Sequence, residues 1–433
     1  MKESFLHFLW QDMLFNKQDM RVATGEKIEI INPGQHNFDA GPDFFNAKIK
    51  IGGILWIGNV EIHVRASDWK RHVHHDDKAY DNVVLHVVLE ADAEAFRSNG
   101  QPIPVFVMTF DAALNERYEA LLAAPTPVPC APHLKNIQPI EVSQFLSRLL
   151  VERLEKKSGD IRQTLAATGN EWNAAFYQLL FRTFGFSVNG AAFERLAKAV
   201  PHAVVGKHRH SVLQLEALLF GQAGMLQDTA KDDYQAALQK EYRFLQEKFR
   251  LTPLEPHLWR FLRLRPSNFP TVRLAQLAQL LHQAPPLVEL MEAWNGRAAA
   301  AICTLFDVQA SEYWDTHFTF GKPSPAQPKK LGATSIHTLM INLVIPYLFT
   351  YAQQHGYDGL QDTALDLLEQ FPPETNHITA CWEQAGIKAH NAFYSQALLQ
   401  LQTAYCDRRR CLHCRIGAGI ISTKWSVRGS QNV

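Results

Sequence analysis

The chain has no excess of charge of either sign. Its 433 residues include 43 Lys and Arg and 43 Asp and Glu, so the formal net charge is zero with histidine neutral. No overall field therefore draws the molecule toward nucleic acid or an anionic membrane. Any polyanionic partner must be held by a local patch of basic side chains.

Long apolar runs and disulfide-forming cysteines are also scarce. Nowhere do about 18 consecutive apolar residues occur, the length that a membrane-spanning helix needs. The N-terminal stretch MKESFLHFLWQDMLF has no uninterrupted apolar core and no small-residue cleavage site, so it does not resemble a signal peptide. Six cysteines are too few for a disulfide scaffold, and three of them cluster near the C-terminus. We expect a cytoplasmic protein that does not cross a membrane.

The pattern of apolar residues predicts two kinds of domain. A short amphipathic helix over 3–15 precedes five strand-like segments rich in β-branched residues, KIEII, AKIKI, ILWIGNVEIHV, NVVLHVVLE and PVFVMTF. Helical spacing dominates later in the chain. The sequence thus predicts an α/β domain at 1–120, a Pro-rich linker at 121–132, a mostly α-helical domain at 133–400 and a Cys-rich metal-binding segment at 401–433. A short strand is expected after Gly417.

The densest chemistry lies in GPDFFNAKIKIGGILWIGNVEIHV. Asp43 precedes one predicted strand, and Glu61 and His63 lie two residues apart on the next, so their side chains share a face. A hairpin between the strands would bring the carboxylates together. Carboxylate oxygens suit Mg²⁺ or Mn²⁺, which would activate an attacking water. Alternatively, Asp43 shapes a turn, and Glu61 with His63 forms the solvated face of an amphipathic strand.

These residues resemble the PD-(D/E)XK nuclease superfamily. Pro42-Asp43 is followed after seventeen residues by Glu61-Ile62-His63, and Glu3 on the preceding helix lies where such folds often carry another acid. The resemblance implies a restriction-endonuclease-like mixed sheet, with Asp43 and Glu61 as metal ligands. His63 occupies the place of the expected lysine; a histidine is mostly neutral at pH 7 and would act as a base or a ligand instead.

A histidine-rich segment, DWKRHVHHDDKAYDNVVLHVV, follows directly. Its imidazoles and carboxylates could form a second metal site or supply a general base, or the segment could be a polar loop. His72 and His74 are two residues apart, so their rings would lie on the same side of the chain only if this loop were extended. The candidate residues of this second site are His72, His74, Asp77 and His86.

Several longer stretches are similar to a bacterial family of unknown function over nearly the full length. They are NPGQHNFDAGPDFFNA, GNVEIH, DWKRHVHHDDKAYDNVVLHVV, WRFLRLRPSNFPTVRLAQLA and YCDRRRCLHCRIG. This resemblance supports the domain organisation and implies no activity, substrate or catalytic residue.

Three cysteines form the pattern Cys406-x4-Cys411-x2-Cys414, in which the closing C-x2-C is half of a typical thiolate metal site. The spacing also matches part of an iron–sulfur motif. A four-ligand site needs one more residue, and the candidates are Cys130, Cys303, Cys381 and His413. Cys130 is favoured because it lies at the domain edge, and some nucleases of the resembled superfamily use one upstream and three downstream cysteines. We expect bound Zn²⁺ or an iron–sulfur cluster, with unliganded cysteines or a redox dithiol as alternatives.

Two arginine clusters are candidate nucleic-acid contacts. One combines arginines with aromatic residues in WRFLRLRPSNFPTVRLAQ. Arginines bind phosphates and aromatic rings stack on bases, so this combination is typical of nucleic-acid contacts. The other is interleaved with the cysteines. Arginines that pack their stems on a neighbouring helix would look the same in sequence. The candidates are Arg260, Arg263, Arg265, Arg273, Arg408, Arg409 and Arg410.

The lead interpretation is a metal-dependent phosphodiesterase, a nuclease acting on DNA or RNA, in which Asp43 and Glu61 bind Mg²⁺ or Mn²⁺ and His63 orients or deprotonates water. A second interpretation is a non-catalytic nucleic-acid-binding or scaffold protein with a degenerate nuclease fold. A third is a zinc hydrolase that uses His63, His72, His74 and Asp77.

Overall fold

The structure is a computed structural model and describes residues 1–283 and 299–422. They form two compact units. Unit 1 contains Met1–Phe145, Gln384–Gly386 and the described residues from 402 onwards, and unit 2 contains Leu146–Glu383 and Ile387–Leu401. The predicted Pro-rich linker lies inside unit 1, together with the Cys-rich segment. The division falls instead within a long helix, Pro139–Ala167.

Unit 1 has a mixed sheet with a helix before it. Its elements are α1 (Glu3–Gln11), β1 (Ile28–Asn32), β2 (Gln35–His36), β3 (Phe44–Ile51), β4 (Ile54–Ile62), α2 (Asp68–Arg71), β5 (Val83–Val88), β6 (Val105–Val107) and α3 (Ala112–Ala123). The strand order is β1-β3-β4-β5-β6, and β2 pairs with β3. Strands β1, β3 and β4 are antiparallel, whereas β4, β5 and β6 are parallel. The predicted α/β domain with a mixed sheet is confirmed.

The burial of each strand follows its position in the sheet. Along β3 buried residues alternate with exposed ones through Ala47, Ile49 and Ile51, as in a strand with one solvated face. Every residue of β5 is buried, as expected for a central parallel strand. The β3–β4 turn uses Gly52 and Gly53, both at positive φ, where other residues are strained.

Unit 2 confirms the predicted mostly helical region. After the long helix, its helices are Trp172–Phe184, Phe186–Ala199, His202–His208, Val212–Gln222, Asp233–Phe249, Pro270–Gln283, Ala299–Cys303, Ala333–Leu339, Ile345–His355, Asp358–Gln370, His377–Gln384 and Ala392–Leu401. A two-stranded ribbon, His317–Thr319 with Lys322–Pro323, interrupts them.

One helical run has the length and apolar composition of a membrane span. It is Ala333–His355, and 67% of its most apolar window is buried inside the protein. The core helix of a globular protein meets the same criteria, so the expectation that the chain does not cross a membrane stays a prediction.

Up to residue 422, the C-terminal part of unit 1 is helical where a short strand was predicted; the rest of that prediction lies outside the described residues. A π-helical turn, Gln402–Cys406, and a 3₁₀ turn, Cys411–His413, lead into the helix Arg415–Ile421. Gly417 lies in this helix, and a Cβ atom there would be 2.4 Å from the Cys411 carbonyl oxygen. The helix therefore packs closely against the turn before it, which a β-branched sequence pattern does not indicate.

Candidate metal centre

Two carboxylates meet where β3 begins and β4 ends. Phe44 is paired with Val60 in the antiparallel register, so Asp43 lies beside Glu61. The Asp43 backbone N–H donates to Glu61 Oε2 over 3.1 Å, and the Ile62 backbone N–H donates to Asp43 Oδ2 over 2.9 Å. The hairpin thus brings together the two acids that the sequence singled out.

His63 joins this pair from the residue after β4. Its Nε2 lies 3.5 Å from Glu61 Oε1 and 3.2 Å from His72 Nδ1. Only 5% of Glu61 and 2% of His63 is exposed. The alternative of a solvated strand face is therefore wrong for these two residues.

An unusual backbone conformation brings two further imidazoles to the same place. His72 caps the C-terminus of α2 and His74 begins a 3₁₀ turn, so the two histidines meet without the extended loop that the sequence analysis required. Between them, Val73 has φ 63°, a left-handed conformation that is rare for a β-branched residue. His74 Nε2 lies 3.2 Å from Glu61 Oε1, and its ring stacks on Tyr80.

The spacing of these atoms matches the shell around a metal ion. One ligand nitrogen each from His63, His72 and His74 lies within 4.8 Å of the others. The three measured separations that link Glu61, His63, His72 and His74 are 3.2, 3.5 and 3.2 Å. Ligands at zinc–nitrogen distances of about 2.0–2.1 Å lie about 3 to 3.4 Å apart. The three imidazoles can hold one ion, and Glu61 contacts two of them, His63 and His74.

His86 and Asp77, both predicted for a second site, have different places. His86 is fully buried on β5, opposite Glu61 in the parallel register, and its Nε2 lies 2.9 Å from His63 Nδ1. It contacts the ring nitrogen of His63 that faces away from Glu61. Asp77 accepts a hydrogen bond from the Ala79 backbone N–H and caps a 3₁₀ turn. It is not part of the cluster.

Sequence reasoning missed His7. From α1, His7 Nε2 lies 3.2 Å from Asp43 Oδ2. In the sequence, His7 is marked only as a polar residue among the apolar residues Phe5, Leu6 and Phe8, all of which are buried in the structure. Glu3, expected near the site, lines a cleft beside it and contributes its negative charge to His7.

Burial and neighbouring charges shift the pKa values of the cluster. Burial and the nearby imidazoles lower the pKa of His63 to about 2, and burial lowers that of His86 to about 3. Burial raises the pKa of Glu61. Burial opposes protonation of His7, but the contact with Asp43 and the surrounding carboxylates raise its pKa above the ordinary value. His63 is therefore a neutral donor available to a metal.

An open cleft of about 560 Å³ reaches the exposed side of His72. Three basic side chains line it, Lys2, Arg65 and Arg71, together with Glu3, Asp68, Met1 and Val64. Arg65 is paired with Glu90 at 3.1 Å and Arg71 with Asp68 at 2.9 Å. The cleft therefore opens the cluster to solvent at His72.

Four cysteines form a second candidate centre in unit 1. Cys130, Cys406, Cys411 and Cys414 are buried free thiols that line one small apolar cavity of about 20 Å³. Burial raises the pKa of Cys130 to about 12 and that of Cys414 to about 11. Of the candidates for the fourth ligand, Cys130 is the one that lines this cavity. Cys303 and Cys381 belong to unit 2 and are half-buried.

Some arginines of the two predicted patches are exposed, and others are buried or already paired. Near the cysteines, Arg409 donates to the Ala124 carbonyl oxygen and Arg415 pairs with Glu141, whereas Arg408 and Arg410 are exposed. In unit 2, Arg260, Arg263 and Arg265 are exposed and Arg273 is buried. Arg260 and Arg263 do not share a helix face, because neither residue is helical and Arg263 has φ 63°.

A family model described as "Protein of unknown function (DUF2851)" matches residues 3–377. The chain belongs to this family. The DUF2851 match contains every residue of the histidine and carboxylate cluster, as well as Cys130, and ends before the three C-terminal cysteines. No curated protein and no solved structure matches the chain.

Proposed function

We propose that this protein is a metal-dependent hydrolase of phosphodiester bonds, with nucleic acid as its substrate. One observation carries the proposal: the imidazoles of His63, His72 and His74 converge at ligand spacing, with the carboxylate of Glu61 against two of them and a second carboxylate, Asp43, beside it. A bound cation would offset the cost of burying the Glu61 carboxylate among these imidazoles.

The donor set favours a transition metal over Mg²⁺. Imidazole nitrogens suit Zn²⁺ and its neighbours, whereas Mg²⁺ prefers oxygen ligands and keeps several waters. Three imidazoles and one carboxylate therefore point to Zn²⁺. Mn²⁺ is the alternative, because it also binds carboxylate oxygens such as those of Glu61 and Asp43. His63, in the place of the lysine that the nuclease resemblance implies, then acts as a ligand.

The remaining side chains have positioning and proton-transfer roles in this proposal. His86 contacts Nδ1 of His63 and so orients that ring, a role that a carboxylate, carbonyl or water has beside most metal-bound histidines. A bound ion would lower the pKa of a coordinated water. Asp43, with His7 at 3.2 Å, lies next to the ligand Glu61 and is placed to accept the proton of that water.

Two features support a phosphodiester substrate. Lys2, Arg65 and Arg71 line the cleft that opens at His72, and such side chains bind phosphate; Arg65 and Arg71 would do so while also contacting Glu90 and Asp68. The PD-(D/E)XK resemblance implies a mixed sheet, and this sheet is mixed, with β1, β3 and β4 antiparallel, β5 parallel to β4 and the acids at adjoining ends of β3 and β4.

The test is cleavage of single- and double-stranded DNA and RNA by the full chain, loaded separately with Zn²⁺, Mn²⁺ and Mg²⁺. We expect turnover with Zn²⁺ or Mn²⁺ that is lost in Asp43→Asn, Glu61→Gln and His63→Ala. His75→Ala is the matched control, because His75 is on the same turn but contacts Asp76 at 3.5 Å. Metal-independent cutting, or binding of nucleic acid without any cutting, would reject the hydrolase and favour the non-catalytic alternative.

We further propose a structural metal centre, Zn²⁺ or an iron–sulfur cluster, held by Cys130, Cys406, Cys411 and Cys414. Its support is the burial of four free thiols around one cavity, since thiolates bind both kinds of centre. Metal analysis with acid-labile sulfide and visible absorption separates zinc from iron–sulfur. We expect Cys414→Ser to lose this metal and Cys381→Ser to retain it; equal metal content in both variants would contradict the assignment.

A further inference from the structure

Unit 2 contains a pocket of about 630 Å³, a volume typical of small-molecule sites. Phe184, Phe186 and Phe193 contribute aromatic surface to it. Residues 264–270 and 332–338 contribute polar surface, including the hydroxyls of Ser267 and Ser335. Such a combination of an aromatic wall and polar groups is suited to a ligand with one flat, apolar part and one charged part.

The pocket is lined by a buried positive charge that lacks a carboxylate partner. Arg273 is 6% exposed and donates to Gln276 Oε1 at 3.0 Å, Asn268 Oδ1 at 2.6 Å and Ser335 Oγ at 3.0 Å. All three acceptors are neutral. Its Nε has no hydrogen-bond partner, and no acidic residue of the described chain forms an ion pair with it. Buried charges are normally paired, because desolvation is costly.

A strained aromatic residue lies over the same guanidinium. The ring of Phe186 is 4.4 Å from the Arg273 Cζ, and Phe186 has φ 48°, which is rare for a bulky residue. The preceding Gly185 allows this turn, since a Cβ there would lie 2.5 Å from the backbone of Asn189. A cation–π contact offsets only part of the cost of burying the charge. Backbone strain of this kind tends to occur at ligand sites.

We propose that this pocket binds a phosphate monoester of mononucleotide size, with the phosphate against Arg273 and the organic part along the phenylalanine wall. A guanidinium fork matches phosphate geometry and forms strong charge-assisted hydrogen bonds. Arg265, exposed at the pocket, supplies a second cation. The ligand is a free nucleoside monophosphate or the phosphorylated end of an oligonucleotide. This site is separate from the proposed hydrolase, whose residues all belong to unit 1.

The experiment is calorimetric titration of the full chain with inorganic phosphate, a nucleoside 5′-monophosphate, the unphosphorylated nucleoside, and one oligonucleotide with and without a 5′-phosphate. We expect the monophosphate to bind and the nucleoside not to bind. Preference for the phosphorylated oligonucleotide over the free monophosphate would identify a strand end as the source of the phosphate, and the reverse order a free nucleotide. Equal binding of phosphorylated and unphosphorylated ligands would overturn the proposal.

Two variants test the roles of the arginines. Arg273→Gln should weaken monophosphate binding about tenfold or more, the effect of losing a charge-assisted hydrogen bond. Arg265→Gln, at an exposed position where folding is not at risk, should weaken it severalfold. Arg263→Gln is the control, because Arg263 is exposed and does not line the pocket. Unchanged affinity in both Arg273→Gln and Arg265→Gln would refute the site.

Ligand-free stability separates this proposal from a purely structural role. If the role of Arg273 is to bind a ligand, Arg273→Met should melt within a few degrees of the wild type, because removal of the unpaired buried charge offsets the loss of three hydrogen bonds. The monophosphate should then raise the melting temperature of the wild type alone. A large drop in melting temperature for Arg273→Met, with no effect of monophosphate on the wild type, would show a structural arginine instead.

Discussion

His63 Nδ1 lies 2.9 Å from His86 Nε2, and the two residues come from the neighbouring parallel strands β4 and β5 or their ends. This contact uses the nitrogen of His63 that does not face Glu61, and so it fixes which nitrogen a metal would meet. The sheet register, rather than local sequence, brings the two rings together.

His86→Ala should therefore weaken metal binding without removing a ligand. Outer contacts of metal-bound histidines are worth about 10–100-fold in affinity. The measurement is Zn²⁺ affinity by competition with a chromophoric chelator. His355→Ala, at an exposed position of unit 2, is the control. His86→Gln, which can keep a hydrogen bond to His63, should lose less than His86→Ala; equal affinity for all the proteins would exclude this role of His86.

Sequence reasoning succeeded for unit 1 where the pattern was local. Alternating apolar residues located β3 and β4, and the pairing of Asp43 with Glu61 followed from the hairpin between them. It failed where position depends on tertiary packing. His7 reaches Asp43 from a helix far along the chain, and nothing in its surroundings marks it beyond one polar side chain on an apolar face.

The histidine-rich loop shows a second limit. The sequence predicted that His72 and His74 bind one metal only if the loop were extended, and it made Asp77 an equal candidate ligand. The observed turn depends on the left-handed conformation of Val73, which no propensity predicts for valine. The same turn directs Asp77 to the Ala79 backbone. Likewise, the β-branched residues after Gly417 favour a strand, but buried contacts of Ile416, Ile420 and Ile421 stabilise a helix.

Val73→Gly should stabilise the protein. Val73 is 53% exposed, so little burial is lost, and glycine removes the strain of φ 63°. Relief of about 1–3 kcal/mol exceeds the entropic cost of glycine of about 0.5–1 kcal/mol. The measurement is the melting temperature. Val107→Gly, at a 37% exposed position on β6, should lower it; a lower melting temperature for Val73→Gly as well would show that Val73 is unstrained.

The stability of unit 2 should depend on pH through Glu216. This carboxyl is 1% exposed and accepts hydrogen bonds from the hydroxyls of Tyr234 and Ser311. Burial raises its pKa from 4.5 to about 7. The folded state therefore holds the proton more tightly than the unfolded state, so the free energy of unfolding falls as pH rises between these two values.

Glu216→Gln should remove this dependence. From the size of the shift, the wild type should lose on the order of 3 kcal/mol relative to the variant between about pH 4.5 and about pH 7. Denaturation of both proteins across this range measures the difference. Glu312→Gln, outside the buried network, is the control. Parallel curves for the wild type and Glu216→Gln would mean that Glu216 is ionised when folded.

The approach of β2 to β3, next to the carboxylate pair, depends on Gly34. Gly34 has φ 94°, and a Cβ there would lie 2.6 Å from the Phe45 carbonyl oxygen. Gly25 has nearly the same φ, 93°, but a Cβ there would meet nothing within 4 Å. Alanine at either position is strained by its backbone, whereas only Gly34→Ala must also displace β3.

These two glycines therefore form a matched pair. Gly25→Ala should cost about 1–2 kcal/mol of unfolding free energy, and Gly34→Ala should cost about 1–3 kcal/mol more. Because Asp43 directly precedes β3, Gly34→Ala should also weaken the metal-dependent activity, while Gly25→Ala should leave it unchanged. Denaturation and the cleavage assay on both variants provide the measurement. Equal effects of the two substitutions would show that β2 can move away from β3 without disturbing the site.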